Sequence, residues 1–219
     1  MGPLSRRAGA ALAISLVVAA GGCAELQAPP ASARIPPVLG AGNPDPVRGA
    51  VPAAARAFGD QGRSLAGRPA AAARAAAQLE LITDELARDP RWAPLPPSVG
   101  FELRSARTEL RAALGTHPDA PPEAVIRALA SAYAALARED RAAAVAALSP
   151  QLFTPGGEET LERLTAPGPL PQSGIATALA EQEVTRMERD RRWGLGLALD
   201  PSSQGPLPGM SGRSRGTGL

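Results

Sequence analysis

The chain has 219 residues, enough for one domain with flanking segments, and its 23 basic residues, all arginine, face 21 acids. Arginine alternates with Glu and Asp along most candidate helices and builds no clustered basic face, so nucleic acid is not an expected partner. One cysteine excludes an intramolecular disulfide, and 3% aromatics leave a core of Ala, Leu, Val and Ile, side chains that let helices approach closely but bury little apolar area each.

Arg6 and Arg7 form a short positive start, followed from Ala8 to Ala20 by an apolar run containing Leu12, Ile14, Leu16, Val17 and Val18. The run is too short to span a bilayer, which takes about 20 apolar residues. It matches the apolar region of an export signal. The junction Ala20-Gly21-Gly22-Cys23 resembles the lipobox of bacterial lipoproteins, with Ala20 where Leu is commonest. That resemblance covers residues 1–23 alone. It implies cleavage before Cys23, a diacylglycerol on its thiol and an acyl group on its amine. Two or three acyl chains anchor stably where one is marginal. Ala24 in place of an inner-membrane-retaining Asp implies the outer membrane, facing the periplasm. Loss of residues 1–22 also removes Arg6 and Arg7 and leaves 21 arginines against 21 acids, so the mature chain is expected to be neutral.

Residues 23–46 are Pro-rich and lack apolar periodicity, the composition of a semi-extended, mobile linker. A helical domain is expected over 47–193. Its first candidate, Val47 to Phe58, is interrupted by Gly49 and Pro52. The next is stronger. Pro69 suits a first helical turn, and Ala72, Ala75, Leu79, Ile82 and Leu86 make one apolar stripe to Arg88. Four prolines in 90–97 surround Trp92, an aromatic expected to cap the core. Ser98 is a candidate cap for a helix with Val99, Leu103, Ala106, Leu110 and Leu114 on one face, ended by Gly115.

Asp119 is a candidate cap for the following helix, which carries Val125, Ile126, Leu129, Tyr133 and Leu136. A turn at Arg138-Glu139-Asp140 leads to a return helix, Ala142 to Leu148. Leu129 and Tyr133 are expected to pack on Val145 and Leu148. The pair resembles one tetratricopeptide-type hairpin, but the period of about 34 residues does not recur. A short helix at Gly157–Leu164 and a last one from Ser173 to Arg192, with Ile175, Leu179, Val184, Met187 and then Trp193 along one side, complete an all-α bundle of about six helices with helical hairpins. Residues 194–219 read as a disordered Gly/Pro/Ser tail.

Chemistry-bearing patterns are sparse. His117, the only histidine, sits in a loop with no ligand partners in view, so no metal or cofactor is expected. Asp84-Glu85 and Glu158-Glu159 are adjacent on helices and point apart. The second pair suits a helix N-terminus. The charged run from Glu181 to Arg191 suits a solvated face with pairs such as Glu188/Arg191 along the helix. With no catalytic constellation, the expected function is a non-enzymatic, lipid-anchored envelope protein that scaffolds or binds a protein partner. Behind it stand a helical binder of a small apolar or lipid ligand, and a wall-acting enzyme using carboxylates.

Overall fold

The computed structural model describes residues 35–40 and 42–190. Cys23, the signal-like segment, Trp193 and the tail lie outside them. The described chain is all-helical: α1 (Pro46–Phe58), α2 (Pro69–Arg88), α3 (Pro97–Leu114), α4 (Pro122–Leu136), α5 (Arg141–Ala147), α6 (Gly157–Thr165) and α7 (Pro171–Arg189). A proline stands in the first helical turn of α1, α2, α3, α4 and α7, where its missing N–H and fixed φ cost nothing.

α2 is the hub. Every residue from Ala75 to Asp84 is buried, and the helix packs against α1, α3, α4 and α6. Its alanine run makes this feasible, because methyl-sized side chains leave room for neighbours on several sides. α7 lies on α1 and α3, and α5 bridges α4 and α6. Glu80, at the centre of α2 with 1% side-chain exposure, meets two arginines of α3: Arg111 Nε at 2.6 Å and Arg107 Nε at 3.2 Å. Arg111 Nη1 also donates to the carbonyls of Pro118 and Ala120, tying α3 to the loop that opens α4.

The weak first candidate is one continuous helix, which brings the count to seven. Val47, Ala50, Val51, Ala54 and Phe58 are buried along it, and this packing outweighs the hydrogen bond forgone at Pro52. Gly49 is no breaker. A Cβ there would lie 1.9 Å from the Gly40 carbonyl oxygen, so glycine admits the turn of 3-10 helix at Pro37–Gly40 against α1. The end of the expected linker therefore belongs to the fold. Leu39 is fully buried, and its carbonyl accepts from Gln78 Nε2 at 2.8 Å. Gly157 does the same for α5 and α6, since its Cβ would fall 2.2 Å from the Val145 carbonyl oxygen.

The expected caps are displaced. Ser98 and Asp119 cap nothing: α3 and α4 follow Pro96 and Pro121 at their N-cap positions without a side-chain cap. Asp45 caps α1, accepting from Val47 N and Arg48 N while also pairing with Arg91. Asp140 caps α5 through Ala143 N at 2.9 Å. Trp92 is buried, as its place in the proline loop predicts. Ile175 departs from expectation: it is 59% exposed, while Ser173, Ala176 and Thr177 face inward. The polar inward face is satisfied by Glu109 of α3, which accepts from Ser173 N and Oγ, both at 2.8 Å. Leu129 and Leu148 are fully buried. Tyr133 lies against α2, beneath the Arg74 guanidinium.

Leu129→Ala removes a fully buried side chain from the α4 face that packs on α2 and α5. It is expected to cost about 2–5 kcal/mol, read by urea unfolding. A variant as stable as wild type would contradict this packing.

Candidate functional site

A concavity of about 460 Å³ with chemical character lies between α1, the 3-10 turn at Arg63–Leu65, α2 and α4. Its position follows from helical spacing. Ala53, Arg56 and Ala57 share one face of α1, and Ala71, Arg74, Ala75 and Gln78 recur at three and four along α2. The alanines give a floor of methyl groups. Arg56, Arg68 and Arg74 supply three positive charges, and the lining contains no carboxylate.

Each arginine is held differently. Arg74 stacks on the Tyr133 ring, 5.5 Å from its centroid, and its buried Nε has no hydrogen-bond partner. Arg68 donates from Nε to the Ser64 carbonyl at 2.7 Å, leaving its terminal nitrogens for another acceptor. Arg56 is exposed. None of the three pairs with a carboxylate among the described residues. Asp60, the nearest acid in sequence, accepts from Ser64 N at 2.8 Å. Desolvation pushes Asp60 up, but hydrogen bonds from the Ser64 and Gly62 backbones outweigh it and hold the carboxyl below its ordinary range. The groove is thus a set of unpaired guanidinium donors around an apolar floor, an arrangement suited to an oxyanion on an organic body.

The residues singled out from sequence fall elsewhere. Cys23 lies outside the described residues. His117 is exposed in its loop; its backbone N–H donates to the Leu152 carbonyl at 2.8 Å, and its ring Nδ1 accepts from Asp119 N at 3.3 Å. Among the described residues no group of His, Cys, Asp and Glu could hold a metal ion, and no helix is long and apolar enough to cross a membrane. Glu158 pairs with Arg141 at 2.5 Å and Glu159 with Arg163 at 2.6 Å. Glu188 reaches across to Arg48 of α1 at 2.6 Å, so the charged face of α7 serves a helix–helix contact as well as solvent. Sequence reading missed the groove, although one signal was available. From Pro46 to Leu79 the chain carries five arginines and a single acid, Asp60, a local excess hidden by the neutral total.

Comparison with family models, with curated proteins and with solved structures finds no match to the chain.

Asp84 and Glu85 close the far end of α2. Burial pushes Asp84 up against the pull of Arg88 and Arg107. Burial and the adjacent Asp84 charge push Glu85 up. A carboxyl raised in the folded state contributes its full stability below the unfolded pKa and loses it as pH rises through the folded one. Ionised Glu85 is therefore a net cost at neutral pH. Glu85→Gln is expected to melt above wild type at neutral pH, with the gain vanishing as the pH falls below the carboxylate range. Thermal melts across that range check this, and a difference independent of pH would refute it.

Proposed function

We propose that this chain is a lipid-anchored, non-enzymatic binding protein of the bacterial envelope, held by acylated Cys23, whose α1/α2/α4 groove takes a small ligand. The observation that carries the binding half is the groove itself: a concavity of about 460 Å³ with three arginines unpaired by carboxylates. Sites for small molecules are concave, mostly apolar, and furnished with a few placed polar groups, at volumes of roughly 300–1,000 Å³. This favours a small-ligand binder over a scaffold. A protein-interaction reading retains one specific support, the exposure of Phe101 (61%) and Ile175 (59%). The anchor half rests on the lipobox-like junction at Cys23, and Ala24 in place of Asp supports an outer-membrane location facing the periplasm.

Two measurements test these halves. A detergent extract of bacterial envelope is expected to raise the melting temperature of the purified chain, and Ala71→Trp, which fills the groove, is expected to abolish the shift. A shift retained in Ala71→Trp would place binding elsewhere. Full-length protein is expected in the membrane fraction, and Cys23→Ser is expected to accumulate as uncleaved precursor or soluble protein. Unchanged cleavage and membrane association in Cys23→Ser would overturn the anchor.

A further inference from the structure

We infer that the groove is a phosphate-ester site: its ligand is a small organic body bearing a phosphate monoester, with the phosphate held by Arg56, Arg68 and Arg74 and the body lying on the alanine floor. The inference rests on the groove being the binding face. It starts from charge. Three guanidinium groups line one concavity of about 460 Å³, and no carboxylate stands among them. Three like charges along one groove with no carboxylate among them give it a positive potential that a compact anion complements. A phosphate monoester carries about −1.5 to −2 at neutral pH, whereas a carboxylate carries one charge and two oxygens. The planar fork of arginine matches phosphate oxygens in bidentate geometry.

The donors are also prepared for this. Arg74 is fixed by its stack on Tyr133, and its Nε–H is buried without an acceptor, a state that costs free energy until an acceptor arrives. Arg68 is oriented by its bond to the Ser64 carbonyl, with its outer nitrogens unspent. Preorganised donors lose less entropy on binding than mobile ones. The rest of the ligand is set by the floor. Ala53 and Ala57 of α1 and Ala71 and Ala75 of α2 all line the groove, and methyl groups of this kind reward an apolar body rather than a hydrated ion. An acidic peptide would spread its charges along its length, so a compact ester fits the confined cluster better. The ester has two sources, a free metabolite-sized molecule or the headgroup of an anionic lipid, and both present the same chemistry to the arginines.

The test uses the full chain carrying Cys23→Ser, so that no attached lipid confuses the result. Calorimetric titration with phenyl phosphate is expected to show saturable binding. Arg56→Glu and Arg68→Glu, both at exposed positions, are each expected to weaken it by about tenfold or more. Arg104→Glu, an equal charge change on the exposed side of α3, is expected to leave it unchanged. Inorganic phosphate is expected to bind more weakly than phenyl phosphate, because it leaves the floor uncovered. Flotation with phosphatidylcholine vesicles containing phosphatidic acid, lost in Arg56→Glu, would assign the lipid source. Phenyl phosphate binding without flotation would assign the free ester. No saturable binding, equal weakening by Arg104→Glu, equal affinity for inorganic phosphate, or tighter groove-dependent binding of an oligoglutamate peptide would each overturn the inference. If phenyl phosphate fails while the envelope extract still gives a shift that Ala71→Trp abolishes, the ligand class is wrong and the groove reading stands. If both fail, the groove reading falls as well.

Discussion

A charge at the centre of the hub helix constrains much of the molecule. Glu80 is 1% exposed, and an isolated carboxylate in that position would be prohibitively costly. It is tolerated because Arg107 and Arg111 of α3 reach it from one side, and burial pushes the Arg107 guanidinium down in turn. A charge-assisted, two-pronged contact has a narrow geometric tolerance. It therefore specifies the rotation of α2 about its axis and its register against α3, which an alanine surface alone would leave loosely determined. Arg111 extends the constraint to the carbonyls of Pro118 and Ala120, so the entry to α4 is set by the same group.

The groove inherits its position from that constraint. Arg74 and Glu80 are six positions apart on α2, about 120° around the helix. With Glu80 turned to α3, Arg74 and its neighbours Ala71, Ala75 and Gln78 face α1 and α4. Larger side chains on this face would have filled the space. Alanine on both α1 and α2 lets the helices pack elsewhere along their length while leaving a concavity here, and Tyr133 from α4 closes one side beneath Arg74. The α2 residues that allow close packing at the hub thus also leave the cavity, and the arginines at its rim give it a sign.

Much of the fold was legible in the sequence because apolar periodicity tracks burial where the neighbours are apolar. Ala72, Ala75, Leu79 and Ile82 on α2, and Val99, Leu103, Ala106, Leu110 and Leu114 on α3, are all buried. Periodicity misleads where other physics decides the face. On α7 Val184 and Met187 are buried as periodicity predicts, but in the first turns Ser173 and Thr177 face inward, satisfied by Glu109 and by a carbonyl four residues back, and hydropathy points instead to the exposed Ile175. On α1, Gly49 marks a close backbone approach and Pro52 sits within a helix stabilised by its packing, so both mimicked a break. The groove was illegible as a site because α1, the 63–65 turn, α2 and α4 come together only in three dimensions. Its one linear trace, the near absence of acids from 46 to 79, disappeared into a balanced total.

A double-mutant cycle between Glu80 and Arg111 tests most directly whether this pair sets the architecture. Glu80→Ala, Arg111→Ala and the double variant are unfolded in urea beside wild type. Each single loss is expected to cost about 3–5 kcal/mol, because Glu80→Ala leaves two largely buried guanidinium groups without their carboxylate and Arg111→Ala leaves the buried carboxylate with Arg107 alone. The double variant is expected to cost less than the sum of the two, with a coupling of about 2–3 kcal/mol. Costs that add to within about 0.5 kcal/mol would show that α2 and α3 find their register without the pair and would contradict the account.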